Sequence, residues 1–117
     1  MMLTLLKSKI HRATVTECDL NYEGSIGIPR DLMDAAGMLA HEQVDVLNIQ
    51  NGERFTTYII EMPSGSGAIT INGPAARRAQ RGDTIIICAY ASMSEEIAKK
   101  HVPTIVLVDA HNHIKKA

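Results

Sequence analysis

The sequence predicts an all-β protein, namely a small six-stranded β-barrel with a few short helices in its connections. Three observations lead to this class. Strand-like runs rich in β-branched residues dominate the chain, turn-forming residues bound each run, and the segments with helix signals are short. With 117 residues, the chain is expected to fold as a single domain over residues 1–117.

The predicted strands are bounded by glycine, proline, asparagine and serine; they are 8–18, 43–50, 54–62, 68–71, 84–91 and 104–109. Asn51-Gly52 separates the second strand from the third. This dipeptide predicts a tight hairpin turn, because it tolerates positive φ at both central positions. The strands 43–50 and 54–62 are therefore expected to be antiparallel neighbours.

Helix signals occur at three places. Residues 29–36 and 74–81 each have a proline near the first turn, and each is followed by a glycine, Gly37 or Gly82, that ends the helix. A third helix is predicted to begin at Ser94. Two acidic residues open it and two lysines close it, which suits the helix dipole.

Composition restricts both the core and the partners. The chain has three tyrosines, one phenylalanine and no tryptophan, so Ile, Val, Leu, Met and Ala must form the core. The net charge of -1, from 12 basic and 13 acidic residues, provides no electrostatic footprint for nucleic acid. The N-terminal apolar run is too short for a secretory signal and has no basic region before it. No membrane span is predicted, and a cytoplasmic location is expected.

Neither the cysteines nor the histidines predict a metal site. Cys18 and Cys88 are far apart and form no CxxC pair, so two free thiols are expected rather than zinc ligands or a disulfide. His111 and His113 flank Asn112 in a charged tail, an arrangement more typical of solvated histidines than of metal ligands.

The peptide bond between Gly24 and Ser25, just after a strand-like run, is the strongest candidate for covalent chemistry. A serine hydroxyl that turns back onto the preceding carbonyl can replace the amide by an ester, and β-elimination then converts the serine into a pyruvoyl group. Gly24 suits the attacked position because it has no Cβ and enters dihedrals closed to other residues. A second pair, Gly65-Ser66, follows Pro63 and is interpreted as a flexible turn.

Five separated segments, taken together, resemble the aspartate 1-decarboxylase family of pyruvoyl enzymes, which make β-alanine. They are Lys9-Ile10-His11-Arg12, Tyr22-Glu23-Gly24-Ser25, Asp34-Ala35-Ala36-Gly37, Asn51-Gly52-Glu53-Arg54-Phe55-Thr56-Thr57-Tyr58 and Ile71-Asn72-Gly73-Pro74-Ala75-Ala76. The segments follow the family's order and spacing. The resemblance covers about the first ninety residues, and residues 110–117 are interpreted as a variable tail.

The resemblance implies a double-psi β-barrel that assembles as a homotetramer with active sites between neighbouring subunits. It implies self-cleavage into residues 1–24 (the β-chain) and 25–117 (the α-chain), with a covalent pyruvoyl cofactor derived from Ser25 and neither a metal nor pyridoxal phosphate. The implied reaction is decarboxylation of L-aspartate to β-alanine through a Schiff base, which supplies pantothenate and coenzyme A biosynthesis. Whether cleavage needs a maturation partner stays open.

Aspartate has two carboxylates, and a cation that pairs with the departing one would stabilise the ground state and oppose the reaction. Arg54, together with Lys9, is therefore expected to bind the retained β-carboxylate. By resemblance Tyr58 is the proton donor, and it shares a strand face with Arg54 because residues of equal parity point the same way. Thr57 lies on the opposite face by this parity, whereas the resemblance places it at the substrate and processing site. A β-bulge would reconcile the two.

The remaining site residues are implied by resemblance alone. His11, on the same strand face as Lys9, supports the cleavage region together with Tyr22, and Asn72 helps to hold the Gly24 carbonyl. The substrate pocket is lined at a helix N-terminus by Gly73, Pro74 and Ala75. Pro74 stands where the family usually has alanine, and proline has no N–H to donate.

Two alternative functions stay open at this point. Small β-barrels also serve as non-catalytic interaction or regulatory modules, although the neutral charge and the set Ser25, Arg54 and Tyr58 argue against this. The other alternative is a pyruvoyl enzyme that acts on another amino acid. Within that class, Arg54 and Lys9 favour a diacid substrate.

Overall fold

The computed structural model describes residues 1–115, in which eight strands form one sheet and the helices are short. The strands are β1 (Met2–Thr14), β2 (Glu17–Asp19), β3 (Ser25–Pro29), β4 (Gln43–Asn48), β5 (Arg54–Met62), β6 (Thr70–Asn72), β7 (Thr84–Ser94) and β8 (Thr104–Leu107). The helices are α1 (Arg30–Ala36), a 3₁₀ helix (Gly73–Arg77) and α2 (Glu95–Ala98). In the sheet the strand order is β2-β6-β3-β5-β4-β7-β1-β8. The all-β prediction is confirmed.

The sheet has eight strands where the sequence predicts six. One addition is β3, which contains two residue types that usually interrupt strands, Gly27 and Pro29. It is nevertheless fully buried, between β6 in antiparallel and β5 in parallel orientation. The second additional strand is β2, which arises because the predicted strand 8–18 is interrupted. The Thr16 N–H binds the Ile69 carbonyl at 2.8 Å, so the chain leaves β7 and continues as β2 beside β6.

β4 and β5 are antiparallel neighbours, as predicted. The tight turn predicted at Asn51-Gly52 is instead a five-residue connection between Asn48 and Arg54, in which Gly52 has a positive φ of 73° and Asn51 does not. The loop is closed by a hydrogen bond from the Gly52 N–H to the Asn48 carbonyl at 2.9 Å. The Asn51 side chain accepts a further bond from the Glu53 N–H at 2.8 Å, which orders the connection.

The helices begin within one residue of the predicted positions, but two are shorter than predicted: the second ends at Arg77, and the third ends at Ala98, before the two lysines. α1 ends at Gly37, whose φ is 66°. The predicted helix 74–81 is a 3₁₀ turn that ends early, because the Asp83 carboxylate accepts a hydrogen bond from the Gln80 N–H at 2.8 Å. α2 follows Ser94, whose hydroxyl caps the first turn.

The core is aliphatic, as the composition predicts. Large side chains with at most 1% exposure come from β1, β3, β4, β5, β6, β7, α1 and the neighbouring connections; they are Ile10, Val15, Ile26, Ile28, Leu32, Val44, Val46, Ile59, Ile69, Ile71, Ile85 and Ile87. Burial of each such side chain contributes about 1.5–3 kcal/mol. Strands β4 and β5 present one face to this core and leave the other more exposed, whereas β3 and β6 are buried along their whole length.

The C-terminal segment is packed, at least as far as residue 115. The buried Asn112 side chain donates to the carbonyls of Thr14 and Gly67, each at 2.8 Å, and accepts from the Thr14 N–H at 2.7 Å. Asp109 accepts hydrogen bonds from two N–H groups in the same turn. The interpretation of a tail is therefore wrong for residues 110–115, and residues 116–117 lie outside the described part of the chain.

No helix within residues 1–115 is both long enough and apolar enough to span a membrane. Over the same residues, no group of three or more His, Cys, Asp and Glu side chains is placed to hold a metal ion. Cys18 and Cys88 are free thiols, as predicted.

Candidate active site

Ser25 is fully buried at the start of β3, opposite Asn72 of β6. Its hydroxyl donates to the Glu23 carbonyl at 3.1 Å and accepts from the Asn72 side-chain amide at 3.2 Å. The hydroxyl therefore points back along the chain, toward the residues that precede the serine.

Gly24 lies in close contact with the start of the 3₁₀ helix. A Cβ added to Gly73 would lie 2.7 Å from both the Cα and the N of Gly24, and 2.9 Å from the Tyr22 carbonyl oxygen. Gly73 also has a positive φ of 69°. The Pro74 ring lies 3.5 Å from the position that a Gly24 Cβ would take. Only glycine therefore fits at position 73. Position 24 would accept a Cβ at an ordinary contact distance and has no positive φ, so the expectation that Gly24 adopts dihedrals closed to other residues is wrong for this uncleaved chain.

A cavity of about 220 Å³ reaches Asn72, which lies opposite Ser25. It is lined by Glu17, Asp19, Tyr22, Ile60, Met62, Thr70 and Asn72. Of these, sequence reasoning names only Tyr22 and Asn72. The other five lining residues belong to β2, β5 and β6, and no sequence motif distinguishes them. They come together because β3, which the sequence does not predict, pairs with both β5 and β6. We call Tyr22, Gly24, Ser25, Asn72 and Gly73 the cleavage cluster.

A second set of predicted residues lies on the outward side of the sheet formed by β5, β4, β7 and β1. In one row across these strands, Lys9 lies opposite Cys88, Cys88 opposite Asp45, and Asp45 opposite Thr56. Arg54 and Tyr58 lie two residues to either side of Thr56 on β5, so they share this side, as the parity argument predicts. We call Lys9, Arg54, Tyr58 and Cys88 the cationic face.

The two cations act on the same thiol. Burial raises the pKa of Cys88, while the positive charges of Lys9 and Arg54 act to lower it. Within residues 1–115, neither cation takes part in an ion pair. The cationic face therefore carries two positive charges that are available to an anion.

Tyr58 lies between the two groups. β3 and β5 are parallel with Ile26 opposite Ile59, so Ser25 and Tyr58, one residue earlier on each strand, are side by side on the face opposite these buried isoleucines. Adjacent strands are about 4.8 Å apart. Arg54 lies about 13 Å further along β5, at about 3.3 Å per residue. The sequence pairs Tyr58 with Arg54, and the structure also places it beside Ser25.

Thr57 does not lie on the cationic face. The β4–β5 register runs without a shift from Leu47 opposite Arg54 to Gln43 opposite Tyr58. This part of the strand pair therefore has no β-bulge that could turn Thr57 to the face of Arg54 and Tyr58. The bulge that would have placed Thr57 at the substrate site, as the resemblance implies, is absent here. Its side chain points to the inner face, opposite the buried Val44.

His11 shares its strand face with Lys9, as predicted, and lies at a bulge. The β1–β7 register shifts between Ile10 and Ala13, and Arg12 has a positive φ of 66°. The His11 Nδ1 is buried and has no hydrogen-bond partner among residues 1–115. Burial, followed by the charges of Lys9 and Arg12, lowers the pKa of His11. The hydrogen bonds within residues 1–115 do not join His11 to the cleavage cluster.

The fold and site define a small all-β protein in which a buried serine hydroxyl is held by the carbonyl of Glu23 and the amide of Asn72. A separate outward face of its sheet carries a tyrosine and two cations that form no ion pair within residues 1–115. A family model described as aspartate decarboxylase matches residues 1–115, and the chain belongs to this family. The match extends to the packed C-terminal segment, well beyond the first ninety residues that carry the resemblance. Family membership and the strand-rich single sheet agree with the predicted double-psi barrel.

Relatives in three bacteria match over nearly their full length. The chain is 59% identical to aspartate 1-decarboxylase of Phenylobacterium zucineum, over 100% of this chain and 99% of the relative. It is 62% identical to aspartate 1-decarboxylase of Maricaulis maris, over 97% and 94% of the two chains. It is 60% identical to that of Caulobacter vibrioides, over 100% and 99%.

Proposed function

We propose that the protein is a self-processing aspartate decarboxylase that converts L-aspartate to β-alanine and carbon dioxide in the cytoplasm. Such an enzyme would supply β-alanine for pantothenate and coenzyme A biosynthesis. The observation that carries the proposal is the buried Ser25 hydroxyl, which Asn72 and the Glu23 carbonyl hold beside the Gly24 backbone. The names of the relatives add the substrate and the product.

Self-cleavage would begin with attack of the Ser25 Oγ on the Gly24 carbonyl carbon. The C–N bond breaks as the C–O bond forms, which leaves an ester and a free amino group. Loss of the Ser25 Cα proton and cleavage of the Cβ–O bond then release Gly24 as a carboxylate. Addition of water and loss of ammonia leave a pyruvoyl group on residue 25. The products are residues 1–24 and 25–117.

Asn72 and Gly73 fit the cleavage step from opposite sides. The Asn72 amide already donates to the Ser25 hydroxyl, and a short movement would bring it to the Gly24 carbonyl as negative charge develops there. The close contact of Gly73 with Gly24 limits the conformations of the attacked residue. By family analogy, His11, Tyr22 and Thr57 assist cleavage.

The pyruvoyl group, once formed, supplies the electron sink for decarboxylation. Arg54 and Lys9 would hold the retained β-carboxylate, because neither cation is engaged in an ion pair with a described residue. Tyr58 would donate a proton to the carbon that loses carbon dioxide. Gly73, Pro74 and Ala75 would line the substrate pocket beside the cleavage cluster, with Pro74 contributing its ring but no N–H donor.

Assembly into a homotetramer with intersubunit sites is part of the proposal. Within one protomer, Lys9 is four strands away from Ser25 along the sheet, in the order β3-β5-β4-β7-β1. Arg54 is about 13 Å along β5 from Tyr58. Aspartate is too short to reach from Ser25 to both cations, so a neighbouring subunit is expected to supply the cations to each cleavage cluster.

Intact-mass measurement under denaturing conditions, combined with an assay for β-alanine, tests the proposal. The wild-type protein is expected to give the two fragments and to release label from aspartate labelled at C1 but not at C4. Ser25→Ala should remain a single inactive chain. Ser66→Ala, in the second Gly-Ser pair, is the matched control and should behave as wild type.

A single full-length mass for wild type after prolonged incubation with cell extract, and no β-alanine, would support the non-catalytic module instead. Release of label from C4 would place the cations on the wrong carboxylate. Cleavage without turnover of aspartate would favour a pyruvoyl enzyme for a different amino acid.

A further inference from the structure

Three non-glycine residues within residues 1–115 have a positive φ, and they are Arg12, His41 and Asn112. Arg12 belongs to the bulge of β1, and Asn112 is fixed by its side-chain hydrogen bonds. His41, with a φ of 72°, has neither explanation. This conformation favours glycine and asparagine.

His41 occupies a turn that leads into β4. The Glu42 N–H binds the Leu39 carbonyl at 3.2 Å, so residues 39–42 form a β-turn with His41 at its third position. Glycine or asparagine is the usual residue where that position has a positive φ. The His41 N–H binds the Ile59 carbonyl at 2.7 Å, which joins the turn to β5. The backbone thus requires neither a ring nor a charge at position 41.

The imidazole ring lies against Tyr58. The two ring centroids are 6.5 Å apart and the ring planes are inclined by 34°. This separation is within the range of interacting aromatic rings. His41 is exposed, whereas Tyr58 is half-buried. The hydroxyl of Tyr58 has no hydrogen-bond partner among residues 1–115, so a neighbouring charge acts on it without competition from a fixed donor.

We propose that His41 is a positioning residue that supports Tyr58 as proton donor. The inference rests on the proposed function, because it acts through the role of Tyr58 in that reaction. When Tyr58 gives up its proton, its oxygen becomes negative, and a protonated imidazole beside it stabilises this charge. His41 transfers no proton itself.

Other charged groups near this turn either form an ion pair or a hydrogen bond, or lie further from Tyr58 along the strands. Glu42 forms an ion pair with Lys7 at 2.6 Å. Asp45 accepts a hydrogen bond from the Thr56 hydroxyl at 2.7 Å. Tyr90 and Asp45 line the cavity beside Glu42, and Arg54 lies four residues from Tyr58 on β5. These groups are the same in wild type and in variants at position 41.

His41→Asn and His41→Gly test the proposal, because both residues accept the positive φ and both remove the ring. We expect normal self-cleavage, normal thermal stability and an unchanged KM, with kcat lowered about two- to fivefold, the range of an exposed charge pair. His111→Asn, which removes an exposed histidine from the C-terminal turn, should match wild type throughout.

A double-mutant cycle with Tyr58→Phe separates a role through Tyr58 from a general effect. His41→Asn should lower kcat in the wild-type background and not in the Tyr58→Phe background. An equal loss in both backgrounds, or no loss in either, would overturn the inference while wild type remains an active decarboxylase. Wild-type protein that neither cleaves nor forms β-alanine would overturn the proposed function and this inference together.

Discussion

The cleavage cluster and the cationic face differ in how they are held. The cleavage cluster is closely packed: Ser25 is fully buried, and the contact between Gly73 and Gly24 leaves no room for a Cβ. The cationic face is open, and its long side chains, Lys9 and Arg54, have no ion-pair partner within residues 1–115. The cluster depends on backbone fit, whereas the face depends on charge.

Because of this difference, we expect formation of the cofactor and turnover of the substrate to respond to different substitutions. A change in backbone fit should stop cleavage before any substrate is bound. A change in charge should leave cleavage intact and alter binding or rate. Tyr58, beside Ser25 but on the cationic face, is the residue at which the two regions meet.

The largest effect is expected from Gly73→Ala. The added Cβ would displace the Gly24 backbone, and misplacement of a reacting group by about 1 Å costs about 10²-fold in rate. Self-cleavage, followed by intact mass over time, should slow by about 10²-fold or more, with activity falling in parallel.

Gly52→Ala is the matched control for Gly73→Ala. Gly52 has a similar positive φ, 73° against 69°, but nothing lies within 4 Å of an added Cβ. Both variants should lose thermal stability from backbone strain, and Gly73→Ala should lose more because its Cβ also meets the Gly24 backbone. Only Gly73→Ala should lose cleavage. Equal cleavage by the two variants would show that packing at Gly24 does not control the reaction.

Tyr58→Phe should have the opposite effect to Gly73→Ala, because it should leave self-cleavage intact and slow turnover of aspartate. The phenylalanine keeps the ring but has no proton to donate, so cleavage should proceed while kcat for aspartate falls by about 10²-fold or more. Tyr90→Phe, a hydroxyl deletion beside Cys88, is the control and should retain wild-type kcat. Unchanged turnover in Tyr58→Phe would remove it from the mechanism.

Arg54→Ala should act on binding more than on rate. Loss of a charged hydrogen bond to the β-carboxylate costs about 1.5–3 kcal/mol, which raises KM for aspartate by about tenfold to 100-fold. The preference for aspartate over asparagine should shrink in the same variant, because the retained group is then less well distinguished. Arg81→Ala, an exposed arginine in the turn before β7, serves as control. A fall in kcat at unchanged KM would contradict the assignment.

The smallest effect should appear at Cys88. Burial raises its pKa above the ordinary value of 9.0, so alkylation should be slow at pH 7 and should accelerate as the pH rises beyond 9. Removal of the Arg54 charge raises the pKa further, and alkylation of Arg54→Ala should be about two- to fivefold slower. Cys18, whose pKa is raised by burial and by Asp83 and Glu17, is the internal control and should not change.

The sequence predicts the class of the fold because β-branched runs and turn residues are local signals. It does not predict β3, because Gly27 and Pro29 have low strand propensity and only pairing with β5 and β6 stabilises them there. Local sequence signals also do not predict the packed C-terminal segment, because its packing depends on a hydrogen bond between Asn112 and Thr14, which are far apart in the sequence.

The candidate site likewise has features that the sequence predicts and features that depend on tertiary packing. The common side of Arg54 and Tyr58 follows from strand parity and can be predicted from the sequence. The position of Tyr58 beside Ser25 depends on the register of β3, which the sequence does not supply. Likewise, the contact between Gly73 and Gly24 arises from tertiary packing around the 3₁₀ helix, although the need for glycine at position 24 is evident from the chemistry.

The thirteen-residue β1 lies inside the sheet, between β7 and β8, and Asn112 holds its end. After cleavage this strand would belong to a separate polypeptide, so the mature protein becomes a heterodimer of fragments joined only by non-covalent contacts. Its refolding from denaturant would then be a second-order process that slows on dilution. The uncut Ser25→Ala chain would refold its protomer by first-order kinetics at any concentration. Cleavage thus makes an intramolecular strand pairing into an intermolecular one.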